Sequence, residues 1–515
     1  MSEFINYNTI TRHNIAKLSV LIKQLISNAT FISIDTEFTG LKLEQVSSEF
    51  AFDFRKWNNR NSQRYKALRL LVSTHALVSI GLSIYQAVPQ EPLASHTFTV
   101  NNFNFILQRE NSHMISPSSI SFLAQNGYDF NLQATSGIRF LAPPLKPSLQ
   151  PDLSSPRSLN ASSVENQFSP TKDTPKRKRE SLNNKSTPNK KAASGSLSNT
   201  KRAENLDGKI LRDIILSAIR SEASLVVHNG LLDLLFIYYS FVADLPETID
   251  SFIADFCHLL CGSIYDTKVI GEYDTRDEAT FLSYLYHKRK REMLKREKSN
   301  LNSIIVNVCK EINLPHISAH TNSTLSGNQL NLTPSSAQSL AGLSNNKNAH
   351  KNPLPYCKQF ASHGYCNSGN DCPLSHDLEF IFNYRDADKN QQKQMRDDFF
   401  TSPDDVSNGQ SLLHSSDNKT DSLPKTFSKA QSPNSPAKTS DKNQLLEAPQ
   451  SMSYHSAVLD AHMTGYIYAS TALNINLDTS KNKIYLIGKD FPLTIQASKF
   501  SKNSQEYLDF IKTGF

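Results

Sequence analysis

The apolar positions of the chain alternate between helical and strand periodicity. Leu18–Ile26 has helical spacing, and Phe31–Ile34 is a short apolar run typical of a buried strand. β-Branched and aromatic residues predict paired strands at Leu77–Tyr85 and His96–Leu107. The same criteria predict helices at Ile210–Ile219, Leu231–Phe241, Thr280–Ser299 and Tyr454–Leu473, and strands at Leu225–Val227 and Lys483–Ile487. Because strands alternate with helices, we expect an α/β fold with a central mixed sheet flanked by helices.

Three polar stretches interrupt this pattern. Residues 143–205 combine repeated prolines with Ser, Asn and Lys, and residues 317–352 and 386–450 are similarly polar. Such segments bury too little apolar surface to offset their ordering entropy, so we predict that they are disordered. Since sheet elements are predicted on both sides of them, we interpret them as insertions into one domain. Its parts are predicted at 10–142, 206–316 and 451–515.

Composition excludes several classes of protein. The 515 residues contain six Cys, too few for a secreted disulfide scaffold. The N-terminus lacks the apolar segment of a signal peptide, and no run approaches the ~18 apolar residues of a membrane span. We therefore expect an intracellular protein with no membrane partner.

The net charge of +7 has a local origin. Residues 143–205 contain 12 Lys and Arg against 5 Asp and Glu, so the rest of the chain is balanced. A cluster in this stretch is typical of a nuclear-localisation signal, with a solvated charge run as the alternative. The cluster comprises Lys176, Arg177, Lys178, Arg179, Lys190 and Lys191. We predict a nuclear protein, with shuttling to the cytoplasm left open.

Four acidic residues lie where an apolar element meets a turn. Asp35 and Glu37 end a predicted strand at positions i and i+2, so both side chains point to the same face. Asp233 follows a strand–turn sequence in the first turn of an apolar helix, and Asp460 lies inside another apolar helix. Taken singly, each is as well explained by solvation or helix capping.

Together the four acids suit one chemistry. Four carboxylates can hold two divalent cations ~3.5–4 Å apart for in-line attack on phosphorus. Hard oxygen ligands favour Mg²⁺ or Mn²⁺ over Zn²⁺. A nearby histidine, whose side chain ordinarily has a pKa near neutrality, could accept the proton of the attacking water.

The order D-x-E, HNG-x-x-D, H-x-x-x-x-D resembles the DEDDh superfamily of exonucleases, in its deadenylase branch. That branch includes the poly(A)-specific ribonucleases and the catalytic subunits of the main cytoplasmic deadenylase complex. The resemblance covers about 10–142, 206–316 and 451–500, and is also carried by Arg64–Arg69, Ser119–Asn131 and Tyr265–Lys268.

This resemblance implies a ribonuclease-H-like sheet and a 3′-to-5′ exoribonuclease. The implied substrate is the adenosine-rich 3′ end of single-stranded RNA, and the implied product is 5′-AMP. Asp35 would contact both metals, and Glu37 would bind one of them. Asp233 would act on the second metal, partly through water, and Asp460 would complete the first site. The resemblance makes His455 the general base.

A second motif occupies residues 353–380. Cys357, Cys366, Cys372 and His376 have the spacing of a CCCH finger, and three thiolates with one imidazole make a closed, structural Zn²⁺ site. The segment has too little apolar surface to fold unaided, so zinc is expected to supply folding energy. Such fingers commonly bind single-stranded RNA by base stacking, and Phe360 and Tyr365 are the candidates here. Protein docking is the alternative.

Two questions stay open at this level. The basic segment His287–Lys298 could follow a phosphate backbone, serve as an import signal, or form a solvated helix with a Glu292–Arg296 pair. The whole chain could also be an RNA-binding adaptor with a non-catalytic nuclease fold, or a DNA 3′-to-5′ exonuclease with the same metal chemistry.

Overall fold

The computed structural model describes residues 5–41, 61–89, 95–143, 205–312, 354–400 and 456–513. The predicted linker 317–352 lies outside these ranges, as do almost all of 143–205 and most of 386–450. The basic cluster assigned to nuclear localisation and His455 also lie outside the described residues.

The described residues form strands and helices throughout the chain. The strands are β1 (Asn8–Ile10), β2 (Phe31–Phe38), β3 (Leu77–Val88), β4 (Ser95–Arg109), β5 (Ile138–Phe140), β6 (Ser224–Val227), β7 (Ile264–Asp266), β8 (Ser303–Val308), β9 (Lys483–Ile484) and β10 (Leu493–Thr494). The helices are α1 (Ile15–Ser27), α2 (Asn61–Thr74), α3 (Pro117–Gln125), α4 (Phe130–Ser136), α5 (Leu206–Ile219), α6 (Leu231–Phe241), α7 (Ile249–Leu259), α8 (Thr267–Val269), α9 (Leu282–Lys298), α10 (Lys358–His363), α11 (Leu378–Asp386), α12 (Lys389–Phe400), α13 (Ala457–Ala472) and α14 (Gln505–Lys512). Across this part of the chain, no helix combines the length and apolar character needed to cross a membrane.

Within the described residues, the strands form one sheet in the order β1-β4-β3-β2-β6-β7-β9-β10, and the long β4 also pairs with β5 and β8. Strands β4, β3 and β2 are antiparallel neighbours, whereas β2, β6, β7 and β9 run parallel. The predicted mixed sheet and the predicted pairing of β3 with β4 are therefore confirmed.

The side chains of β2 alternate between two packed layers. Ile32 and Ile34 point into the main apolar core, which also contains residues of α1, α5 and α6. Phe31 points the other way, into a cluster that includes Tyr85 and Ala469 of α13. Because side chains two apart share a face, Asp35 and Glu37 lie on the α13 side of the sheet.

Helix α13 lies directly on β2 and β3. The Ser33 hydroxyl donates to the Ala461 carbonyl at 2.7 Å, and the Tyr85 hydroxyl donates to the His462 carbonyl at 2.8 Å. A Cβ at Gly81 would lie 1.9 Å from the Ala457 carbonyl oxygen, so the first turn of α13 touches the strand backbone. Since Gly81 pairs with Asp35 across the ladder, this contact places the start of α13 beside the first acid.

Two sequence predictions need correction. The predicted strand Lys483–Ile487 ends at Ile484, because the next backbone N–H, that of Tyr485, donates to the Asp266 carboxylate at 2.9 Å instead of extending the ladder. Helix α12 lies at the start of the stretch assigned to a disordered linker. Its sequence is polar, and its apolar contacts come from Met395 and from Phe399, whose ring lies 5.8 Å from that of Phe380 in α11.

The basic segment 287–298 falls in α9, as predicted, and its first half packs within the molecule, whereas Leu294, Lys295, Glu297 and Lys298 are exposed. Arg289 is buried, and its guanidinium bonds Asp277, Glu292 and the Thr471 hydroxyl of α13. Glu292 thus pairs with Arg289 among the described residues, not with Arg296. Arg291 and Lys295 pair with Glu379 and Asp386 of α11, so part of the positive charge of this helix is used within the molecule.

Candidate active site and candidate zinc site

Three carboxylates predicted from the sequence meet at one edge of the sheet. One oxygen from each of Asp35, Glu37 and Asp460 lies within 4.8 Å of the others, and all three side chains are half-buried. Asp35 and Glu37 come from the end of β2, and Asp460 comes from the first turn of α13. The i, i+2 spacing therefore does place both acids on one face, and the overlying helix adds the third.

Asp233 stands beside this group. It lies in the first turn of α6, which follows β6, and β6 runs parallel to β2. The Thr36 hydroxyl donates to Asp233 Oδ1 at 2.5 Å. Thr36 lies between Asp35 and Glu37 in β2, so this strand also positions the fourth acid, Asp233. Both Asp233 and Asp460 occupy helix N-termini, where the helix dipole favours a negative charge.

The acids perturb one another strongly. Burial, and then the charges of Asp233, Asp460 and Glu37, raises the pKa of Asp35 well above its usual range. Burial followed by the charges of Asp460 and Asp233 does the same to the pKa of Glu37. Burial raises the pKa of Asp233 to about 6, although the hydrogen bond from Thr36 acts to lower it. Burial, together with the charge of Asp233, raises the pKa of Asp460 to about 7. The group is therefore poised to exchange protons for a cation.

The donor set fits a hard divalent cation. Oxygen is the only ligand atom in the Asp35, Glu37 and Asp460 group, as Mg²⁺ and Mn²⁺ prefer. These three residues would hold the ion, and Asp233 lies close enough to raise the pKa of both Asp35 and Asp460. A cation would also relieve the repulsion among carboxylates that burial forces together.

This arrangement predicts that the metal-free stability and the Mg²⁺ affinity change with pH in opposite directions. In magnesium-free buffer the folded pKa values exceed the unfolded values, so the unfolding free energy falls as pH rises through about 6 to 7. Mg²⁺ must displace the bound protons, so its affinity should rise roughly tenfold per pH unit for each proton displaced. Calorimetric unfolding between pH 5 and 8, with and without Mg²⁺, measures both. A magnesium-induced stabilisation that is the same at pH 5.5 and pH 8 would contradict the clustering.

A further acid, Asp266 at the end of β7, organises the turn that carries Asp233. Its carboxylate is fully buried and accepts four backbone N–H bonds. The donors are Asn229 at 2.8 Å, Gly230 at 3.2 Å, Lys268 at 2.9 Å and Tyr485 at 2.9 Å. Burial outweighs these bonds and raises the pKa of Asp266. Asp266 is thus a positioning residue, which sequence reasoning noted only within a family motif.

Asp266→Asn is expected to destabilise the protein by about 2–4 kcal/mol, because the amide group replaces one acceptor and leaves two buried N–H donors unpaired. It should also lower activity by freeing the turn before Asp233. Asp255→Asn is the matched control. Asp255 is equally buried and accepts four bonds, from the Tyr238 hydroxyl, Asn503 and Ser504, but it anchors α14. Equal kcat losses in both variants, measured well below their unfolding temperatures, would contradict the positioning role.

The CCCH residues also come together. Ligand atoms of Cys357, Cys366, Cys372 and His376 all lie within 4.8 Å of one another. The buried Nε2 of His376 has no hydrogen-bond partner among the described residues, which fits a metal ligand. The four side chains have the composition of a structural zinc site, with no position left for substrate.

The two predicted stacking residues of the finger have different surroundings. Phe360 is half-buried, and its ring stacks on the His376 imidazole at 4.5 Å between centroids. Tyr365 is 44% exposed and lies 5.8 Å from the His363 ring. One face of Phe360 is thus used within the finger, and Tyr365 is the more accessible of the two rings.

Three proteins, two of them poly(A)-specific ribonucleases, are similar in sequence to parts of this chain. It is 26% identical over 322 residues to an uncharacterised protein of Schizosaccharomyces pombe, covering 48% of this chain and 72% of that one. It is 28% identical over 129 residues to the mouse poly(A)-specific ribonuclease PNLDC1 and 29% identical over 140 residues to the zebrafish poly(A)-specific ribonuclease PARN. These alignments cover 24% and 26% of this chain, but only 23% and 20% of the two ribonucleases.

A solved structure and a family model complete the comparison. The S. pombe Pop2p structure, in its Mg²⁺- and Mn²⁺-bound form, is 15% identical with a TM-score of 0.34, over 55% of this chain and 82% of Pop2p. The model for CAF1 family ribonucleases matches residues 10–468, a range that contains all four acids and the finger. The chain therefore belongs to the CAF1 ribonuclease family.

Proposed function

We propose that this protein is a metal-dependent 3′-to-5′ exoribonuclease that removes adenosines from RNA 3′ ends and releases 5′-AMP. The observation that carries the proposal is the convergence of Asp35, Glu37 and Asp460 from two different elements, with Asp233 alongside. Membership of a ribonuclease family supports RNA cleavage as the reaction of this carboxylate group.

Each residue has a definite task in this proposal. Asp35, Glu37 and Asp460 hold divalent metal, and Asp233 serves a second ion. Bound Mg²⁺ or Mn²⁺ lowers the pKa of water and stabilises the oxygens of an in-line displacement. Thr36 keeps Asp233 in place through its hydroxyl. His455 directly precedes Ser456, the N-terminal cap of α13, and is the proposed general base.

The proposal also includes an adenosine preference and a nuclear localisation, and different observations support each of them. The poly(A)-specific activity in the names of two relatives suggests adenosine-rich, single-stranded RNA 3′ ends as substrate. A CCCH finger inside a deadenylase-like chain resembles the nuclear CCCH-finger deadenylase, and Lys176–Arg179 with Lys190 and Lys191 supports import. We therefore propose trimming of small nuclear non-coding RNAs or poly(A) tails, with Tyr365 and Phe360 of the finger contacting RNA.

The test compares substrates under one set of conditions. The full chain is incubated with Mg²⁺ and 5′-labelled RNA ending in oligo(A), the same RNA ending in oligo(U), and the DNA equivalent of the first. The proposal predicts stepwise shortening of the oligo(A) RNA, fastest of the three. Faster shortening of DNA would identify a DNA exonuclease. Binding of RNA without any shortening would identify an RNA-binding adaptor.

A further inference from the structure

The finger packs against the nuclease through a defined surface. We call the finger and α11 together, residues 354–386, the finger unit. The docking face is the surface of α9 and its preceding loop that contacts the finger unit. Its members are Glu278, Phe281, Tyr284, His287 and Arg291.

Apolar contacts join the finger unit to the helix that carries Asp460. Tyr356 and Ala361 of the finger and Ile381 of α11 share one buried cluster with Leu459 and Met463 of α13. Leu459 directly precedes Asp460 in the chain. The cluster also contains Tyr284 and Leu285 of α9, so α9 connects the packing of the finger unit to the residue beside the proposed metal ligand Asp460.

The proposed zinc ligand His376 is part of the same packing. Its ring stacks on Phe360, and the Phe360 ring meets that of Phe281 at 6.1 Å in an edge contact. Gly364 fits beneath Phe281 so closely that a Cβ would lie 2.7 Å from that ring. The side of the finger near its histidine thus packs against Phe281, the residue that immediately precedes α9.

Ion pairs fix the register of this interface. Arg291 donates to Glu379 at 2.7 Å and to Asp386 at 3.1 Å, and Arg385 donates back to Glu278 at 2.7 Å. The His287 ring meets Glu379 at 3.1 Å. Since both sides supply cations and anions, the pairing specifies one orientation of the finger unit.

We propose that the finger unit is a positioning element of the nuclease, which holds α13 and therefore Asp460 in place only while Cys357, Cys366, Cys372 and His376 are bound to zinc. The finger has too little apolar surface to fold without metal. Zinc loss should therefore remove Tyr356 and Ala361 from the apolar cluster that contains Leu459. This inference rests on the proposed function for its activity readout, but not for its structural readout.

Gly364→Ala tests the contact, and Gly369→Ala is its matched control. Both glycines have positive φ, 75° and 52°, so an added Cβ strains the backbone at either position. The Cβ at Gly364 collides with Phe281, whereas the Cβ at Gly369 meets nothing within 4 Å. Because both variants carry backbone strain, a difference between them measures the effect of the contact with Phe281.

Three readouts are compared: zinc content, hydrogen exchange of residues 457–472, and the rate on the trinucleotide AAA, a short substrate that limits RNA contacts made away from the active site. Gly364→Ala should retain one zinc, exchange faster in α13, and cleave AAA about 10- to 100-fold more slowly. Gly369→Ala should match the wild type. Cys372→Ser, which removes a zinc ligand, should reproduce the exchange and rate changes.

The charge pair offers a rescue test. Arg291→Glu should speed exchange in α13 and slow AAA cleavage, and adding Glu379→Arg should restore both toward wild type. Unchanged exchange and AAA cleavage in both Gly364→Ala and Cys372→Ser would overturn the proposal, and slower cleavage of long RNA alone would then assign the finger to RNA binding. A wild-type chain that cleaves nothing would refute the proposed function, while the exchange data would still decide the positioning role.

Discussion

Asp35→Asn is expected to abolish RNA trimming without unfolding the protein. Asp35 is the acid whose pKa responds to all three of the others, so it lies at the centre of the carboxylate group. The amide keeps the shape of the side chain but removes the charge and one ligand oxygen. Loss of residues that merely support metal ligands costs 10- to 100-fold, so loss of a ligand should cost more than about 100-fold.

The control for this variant is Asp250→Asn. Asp250 is an exposed acid in the first turn of α7 and is not one of the four clustered acids, so its amide variant should keep full activity. In magnesium-free buffer near pH 8, Asp35→Asn should raise the unfolding temperature, because it removes a charge from a repelling cluster. Trimming by Asp35→Asn at a rate near that of Asp250→Asn would refute the assignment of the metal site.

Gly81→Ala is expected to be the most damaging substitution outside the acids. The new methyl group would lie 1.9 Å from the Ala457 carbonyl oxygen and 2.5 Å from the Val458 nitrogen. Both are backbone atoms in the first turn of α13, so the helix itself must move. Because a displacement of about 1 Å at a catalytic group can cost 10²-fold in rate, we expect a loss of roughly 100-fold. Overpacking should also cost about 1–3 kcal/mol of unfolding free energy.

Gly271→Ala separates this effect from the general cost of an added methyl group. At Gly271 the nearest atoms are side-chain methyl groups of Leu285 and Thr280 at 3.1–3.2 Å, which can shift without moving a backbone. Rates of oligo(A) trimming and calorimetric unfolding temperatures are measured for both variants. A Gly81→Ala protein as active as Gly271→Ala would show that α13 does not rest on β3 as described.

The grouping of the acids can be predicted from the sequence because the four acids mark three elements, one strand and two helices. Asp35 and Glu37 end a strand with a clear apolar run, and Asp233 starts a helix whose observed bounds, Leu231–Phe241, equal the predicted ones. Local periodicity thus places each acid on an element, and parallel neighbours β2 and β6 bring two of the elements together.

Other features depend on partners that are far apart in the chain. The role of Asp266 arises from backbone donors as distant as Tyr485, and no local pattern identifies which carboxylate will accept them. The basic residues of α9 resemble a solvated or RNA-binding helix because their acidic partners, Glu379 and Asp386, lie about 90 positions later. The contact of Gly81 with Ala457 also cannot be predicted from local sequence, because it depends on where α13 crosses the sheet.

The most direct test of the central claim is to identify the product released by the full chain. The protein, carrying its zinc, is incubated with Mg²⁺ and an RNA ending in oligo(A), and the nucleotides released are separated by chromatography. We predict that 5′-AMP accumulates as the 3′ end shortens, and that neither magnesium-free wild type nor Asp35→Asn releases it. Absence of 5′-AMP from the wild type, or equal release by Asp35→Asn, would contradict the claim that these carboxylates form a metal-dependent exoribonuclease site.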